Sequence, residues 1–195
     1  MTNYSEYLKG LIQCAENTIV TYSDNLETST YEEGIGLLVD VFTEAKNRGS
    51  KVFFIGNGGS AAIAVHMTAD FMKNGNMKTC CLYDSSVMTC MGNDYGYEYV
   101  FSKQLELLMN ENDLLVAISS SGNSMNIVNA VNTAKRKNGK IITLSGFKPD
   151  NKIRHMGDYN VYVNIEHYGI VESVHNLILQ HVVDVILEKD SYDKQ

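Results

Sequence analysis

Two short stretches hold the residues best suited to chemistry. The first is Gly56-Asn57-Gly58-Gly59-Ser60, which follows the apolar run 51–55 and precedes a small and apolar segment carrying His66 and Asp70. The pattern reads as strand, tight turn and helix. Glycine lets the backbone approach a ligand closely, and a helix starting at Ser60 aims unpaired N–H groups and its positive dipole end at the turn, so the natural occupant is a phosphate. Alone, the turn reads equally well as a plain connector with Ser60 as N-cap. The second stretch is Ser119-Ser120-Ser121-Gly122-Asn123-Ser124, after the apolar run 113–118. Its four hydroxyls and one glycine, placed at the start of a helix near Asn126, can surround a phosphate without any lysine. One serine-rich loop can be mere turn chemistry; two such loops after two strands of one sheet favour a phosphate-handling site. His66 and Asp70 stand four apart and share a helix face, about 9 Å beyond Ser60 at a rise of ~1.5 Å per residue. Read in isolation, they also fit a core or surface histidine and a solvated helix carboxylate.

The elements that must position these residues follow from periodicity. Segments 4–23 and 30–48 carry apolar residues at three- and four-residue spacings, such as Leu37, Leu38, Val41, Phe42 and Ala45, and predict two N-terminal helices. The connector Asp24–Thr30 offers Ser29 or Thr30 as a cap for the second, with Glu32 or Glu33 in its first turn. From Lys51 the pattern alternates. Strands are expected at 51–55, 77–83, 113–118, 140–145 and 159–165, and helices at 60–73, 97–109, 123–137 and 169–189. Near-continuous apolar strands separated by helices predict a parallel sheet covered on both faces, with the ligand at the carboxyl ends of its strands. The whole chain, 1–195, reads as one domain: helices in 1–48, then an α/β core over 51–190.

Composition narrows the partners. With 44% hydrophobic and 20% charged residues the chain is an ordinary globular protein, and no apolar run approaches the roughly 20 residues needed to span a bilayer. No signal peptide is visible at the start, which points to the cytoplasm. A net charge of −7 disfavours nucleic acid and anionic membranes as partners, while leaving room for a small anion held by local donors. Cys14, Cys80, Cys81 and Cys90 lack metal-ribbon or CxxC spacing and read as buried free thiols. The glycines do not form GxGxxG, which weakens a nucleotide-binding reading.

GNGGS at 56–60, GNDYGYE at 92–98 and ISSSGNS at 118–124, in that order, resemble the sugar isomerase (SIS) domain family, specifically its phosphoheptose isomerase branch. The resemblance spans roughly residues 30 to 190. It implies a three-layer flavodoxin-like core with five parallel strands, a homotetramer with sites at subunit interfaces, and interconversion of sedoheptulose 7-phosphate with D-glycero-D-manno-heptose 7-phosphate, often with zinc. By position, Gly58, Ser60, Ser119, Ser120, Ser121 and Ser124 match the family's phosphate and sugar contacts, and Asn57, Asn93 and Asp94 its polar contacts to the open-chain sugar.

Ketose–aldose conversion passes through an enediolate, so it needs a base and a group that holds the developing oxyanion; Asp70 and His66 meet that need, with Glu172 at the sugar and either Gln180 or His181 completing the catalytic site from the last helix. The family usually has glutamate where this chain has Asp70, a shorter reach by one methylene. On the last helix the family offers glutamine or glutamate and then histidine eight residues later, whereas here Glu172 is followed by Gln180, with His181 one place on. One position turns a helical side chain by about 100°, so His181 replaces that histidine only if the helix bulges; His175 is a fallback on the Glu172 face. Zinc or another divalent ion on His66, Asp70, Glu172 and Gln180 is the corresponding metal expectation. These departures give weight to an alternative: a non-catalytic sugar-phosphate sensor or protein-binding tetramer, such as the replication initiator-associating proteins.

Overall fold

The computed structural model describes residues 3–22 and 26–192. In chain order the elements are α1 (Tyr4–Glu16), β1 (Ile19–Tyr22), β2 (Leu26–Glu27), α2 (Tyr31–Arg48), β3 (Lys51–Ile55), α3 (Gly59–Lys73), β4 (Lys78–Cys80), α4 (Ser85–Tyr95), α5 (Ser102–Leu108), β5 (Leu114–Ser119), α6 (Met125–Arg136), β6 (Lys140–Gly146), β7 (Tyr159–Val163) and α7 (Tyr168–Tyr192). Short 3₁₀ turns at Tyr97–Tyr99 and Lys152–His155 complete them.

The five expected strands pair in parallel in the order β4-β3-β5-β6-β7. The sheet has seven strands rather than five, because β1 adds antiparallel to β7 and β2 to β1. The first expected helix therefore stops at Glu16. Thr18-Ile19-Val20-Thr21 is a run of β-branched residues, stiff at χ1 and better suited to a pleated surface than to a fourth helical turn. Asp24 and Asn25 of the expected connector lie outside the described residues. Thr30 caps α2 by accepting from the Glu33 N–H, while the Glu33 carboxylate reaches back to Ser29.

Alternation along the central strands explains the layers. Val52, Phe54, Leu114, Val116, Ile118, Ile142 and Leu144 face one side, where α2, α3 and α7 pack; Phe53, Ile55, Leu115, Ala117 and Ile141 face the other, against α5 and α6. Phe42, Phe54 and Phe71 pack together at the centre of the first layer, with ring centroids 4.4 to 6.2 Å apart. The α7 stretch Tyr168–Ser191 is long and apolar enough to cross a membrane by length and composition, which the reading of apolar runs missed. Half of it is buried within the protein, and Ile170, Val174, Ile178, Val182 and Ile186 belong to the core. No thiol is buried: Cys14 and Cys80 are half-buried, Cys81 and Cys90 exposed.

Two further differences lie near the site. The expected strand 77–83 shortens to Lys78–Cys80, and a helix, α4, follows it where none was expected. Its residues are poor helix formers, and it exists because Asp84 caps it, accepting from the Val87 N–H at 3.0 Å, and because Met88 and Met91 pack on the core. The chain leaves β3 for β4 on one side and returns to β5 on the other. That reversal opens a crevice at the carboxyl ends of β3 and β5, where the two glycine- and serine-containing loops stand.

Candidate active site

Both helices that enter this crevice begin without a side-chain cap. Gly58 is the N-cap of α3, with φ 55°, and Ser124 that of α6, and neither side chain closes its helix. First-turn N–H groups at both are thus left for a ligand, and both dipoles favour an anion. Asn57, Gly58, Gly59, Ser60, Ser119, Ser120, Ser121, Ser124, Tyr168 and Glu172 surround a cavity of about 240 Å³, so the phosphate contacts expected from sequence converge. The buried Ser120 Oγ has no hydrogen-bond partner, a donor left for whatever fills the space.

Neighbouring elements hold each loop. Gly56, just after β3, donates its N–H to the Tyr83 hydroxyl at 2.6 Å, and that hydroxyl donates back to the Gly56 carbonyl at 2.9 Å. Burial pushes the Tyr83 phenol well above its usual pKa, so it stays a neutral donor and acceptor. The serine loop rests on the segment after β6. Ile153 donates to the Gly122 carbonyl at 3.1 Å, Gly146 to the Ser120 carbonyl at 2.9 Å, and the buried Asn151 fills the space beside Gly122. Sequence reading missed Tyr83 and Asn151, since nothing local distinguishes them from other strand-end and loop residues.

His66 and Asp70 stand on one face of α3 as expected, His66 Nε2 lying 3.3 Å from Asp70 Oδ2. His66 is half exposed and Asp70 mostly covered, and neither borders the phosphate cavity. Glu172 does border it: a Cβ on Gly59 would lie 2.3 Å from its Oε2. Asn93 and Asp94 are exposed on α4, bonded to each other at 2.8 Å and outside that cavity. Asn57 borders it with its side-chain amide held by Asn126 and Tyr97.

On the last helix the sequence expectations need correction. Because α7 runs as one α-helix, His181 cannot rotate toward the Glu172 face, and it lies roughly 13 Å further along the axis. Its ring stacks on Tyr31 at 5.7 Å, with Nδ1 3.1 Å from the tyrosine hydroxyl. The catalytic role expected for His181 is therefore not supported by its position. Gln180 donates to Asp184 at 3.1 Å. His175 faces inward, fully buried, its Nε2 donating to the Ser145 carbonyl at 3.2 Å and its Nδ1 unpartnered.

A divalent ion needs several converging donors. Among the described residues no group of three or more His, Cys, Asp and Glu side chains comes together to hold one. His66, Asp70 and Glu172 therefore do not gather as a metal set within one chain.

Burial lowers the His175 pKa to about 4, against a smaller opposing effect of the Ser145 carbonyl. The native state holds this ring neutral while the unfolded chain binds a proton below about pH 6.5, so its contribution is complete above pH 6.5 and is lost as pH falls toward 4. The loss amounts to roughly 3 kcal/mol. Urea unfolding at pH 7, 5.5 and 4.5 should show this decline, and His175→Gln, which keeps a neutral donor, should flatten it. An equal decline in both proteins would assign the pH dependence to other groups.

The SIS domain model matches residues 17–146, two thirds of the chain. This chain belongs to the SIS domain family. Among its SIS relatives, a protein of Cytophaga hutchinsonii named phosphoheptose isomerase is 34% identical over 182 residues, covering 91% of this chain and 94% of that one. The structure of phosphoheptose isomerase from Neisseria gonorrhoeae superposes with a TM-score of 0.79 at 27% identity, covering 94% of each chain. That of a phosphoheptose isomerase from Francisella tularensis gives 0.81 at 26% identity, covering 95% of this chain and 94% of that one.

Proposed function

We propose that the protein is an aldose–ketose isomerase that converts sedoheptulose 7-phosphate to D-glycero-D-manno-heptose 7-phosphate, a precursor for surface polysaccharide. One observation carries the reading: two uncapped helix starts and five serines converge on a single cavity, with a histidine–carboxylate pair further along one of those helices. The names of the SIS relatives support it.

The C7 phosphate sits between Ser60 and the Ser119–Ser124 loop, and the open chain runs along α3 toward His66 and Asp70. Asp70 removes a proton from C1. As the electron pair moves into the C1–C2 bond, the C2 carbonyl oxygen takes a proton from His66 and an enediol forms. The O1 proton then returns to His66 while Asp70 delivers its proton to C2, which leaves an aldehyde at C1 and restores both residues. Glu172, at the cavity edge, accepts a sugar hydroxyl.

The exposure of His66 supports a site completed by a second copy, within a homotetramer. Exposed Leu8, Ile12 and Leu177 lie on α1 and α7, and an apolar groove of about 550 Å³ runs beside Tyr31. A cytoplasmic setting is part of this reading, and the free thiols are compatible with it. The test is to incubate the purified protein with sedoheptulose 7-phosphate and follow aldose phosphate by NMR, with light scattering on the same sample. Aldose signals from a particle of four chains are the expected result. A folded protein that binds the sugar phosphate without turnover is instead a sensor, and a monomeric mass rejects the tetramer.

A further inference from the structure

Asn57 was expected to touch the sugar, yet its side chain is already engaged. Its Nδ2 donates to Asn126 Oδ1 at 2.9 Å, and Asn126 Nδ2 donates back to Asn57 Oδ1 at 2.8 Å. Asn57 belongs to the turn after β3 and Asn126 to the first turn of α6, so this reciprocal amide pair ties the two phosphate loops together. The Tyr97 hydroxyl also donates to Asn57 Oδ1, at 2.9 Å, which fills both acceptor positions of that oxygen. Asn126 Oδ1 accepts the Ile127 N–H at 3.0 Å, and only 3% of the residue is exposed. A second tie, Asn129 Nδ2 to the Glu98 carbonyl at 2.9 Å, fastens the same 3₁₀ turn to α6.

We infer that Asn126 is a positioning residue that fixes the separation of the two phosphate loops, acting through Asn57, and that Tyr97 couples the α4 segment carrying Asn93 and Asp94 to that setting. The inference rests on the phosphate-site reading above. A paired amide sets distance and orientation together, and in a poorly hydrated place it resists both stretching and twisting. Donors on two separate helices bind one phosphate well only when their spacing is set beforehand. Without the brace, binding must first draw the loops together, and that reorganisation appears as lost affinity for the phosphate.

The experiment compares wild type, Asn126→Ala, Asn57→Ala and the double variant, measuring KM and kcat for sedoheptulose 7-phosphate and the inhibition constant of inorganic phosphate. Each single variant should raise KM and the phosphate inhibition constant together by about tenfold, with kcat changed less, and the double should be no worse than either single. A merely structural role would lower the active fraction and hence apparent kcat, leaving KM and phosphate inhibition as they are. That outcome, or losses that simply add, overturns the inference. Circular dichroism checks folding. If Asn126→Ala fails to fold, Asn57→Ala breaks the same pair from a less buried position and must alone show the paired rise. Wild type that neither turns over sugar phosphate nor binds inorganic phosphate would overturn the phosphate-site reading and this inference with it; wild type that does both while the variants match it would overturn this inference alone.

Discussion

Asp70→Asn should lower turnover of sedoheptulose 7-phosphate by at least about a hundredfold while leaving sugar-phosphate binding nearly intact. The amide matches the carboxylate in shape and can still lie against His66, now 3.3 Å from Asp70, but it cannot accept the C1 proton. A positioned general base contributes about 10²–10⁴-fold, and its loss falls on kcat because the proton moves only in the transition state. Steady-state kinetics with binding measured by calorimetry separate the two effects. A variant that keeps half its turnover would remove Asp70 from the role of base. The site lies well away from the phosphate cavity, so a loss of binding as large as the loss of kcat would mean that the helix itself had moved.

Gly122→Ala should damage the other end of the substrate. Gly122 has φ 66°, a region that costs an L-residue roughly 1–2 kcal/mol. A Cβ there would also lie 1.9 Å from Asn151 Oδ1. Asn151 cannot easily retreat, because its Nδ2 donates to the Lys148 carbonyl at 2.8 Å and its Oδ1 accepts the Arg154 N–H at 3.1 Å. The serine loop must give way instead. A displacement of about 1 Å can cost on the order of a hundredfold in a preorganised site, so KM for the sugar phosphate should rise by about that factor. Asn151→Ala provides the control, because it removes the oxygen that a Cβ on Gly122 would meet. A Gly122→Ala penalty unchanged in that background would show that backbone conformation alone, and not the Asn151 contact, sets it.

The sequence made the chemistry of the phosphate end readable because it is local. Glycines and serines at a strand-to-helix turn announce uncapped N–H groups wherever the strand lies, and the spacing of His66 and Asp70 is a property of one helix. What it hid was long-range or environmental. The Asn57–Asn126 pair joins positions 69 apart, and only the sheet order brings them together. Helix α4 was unreadable because Ser85, Ser86, Thr89 and Asn93 speak against a helix, and a cap plus two methionine contacts override them. For β1 the apolar spacing suited a helix while the β-branched side chains favoured a strand, and the exposed edge of β7 decided between them. His175 looked like a neighbour of Glu172, but helical periodicity does not say which face meets solvent.

The attachment of β1 to β7 also orders events while the chain is being made. Ile19 pairs with Tyr162, so the strand leaves the ribosome 143 residues before its partner. At 5–20 residues per second that interval is roughly 7–30 s. During it β3, β4, β5 and β6 of the parallel core can assemble behind one another, whereas Ile19–Tyr22 has no neighbouring main chain except the two-residue β2. A strand made early is therefore among the last to be secured in the sheet, and α1, which packs on α7, waits longer still.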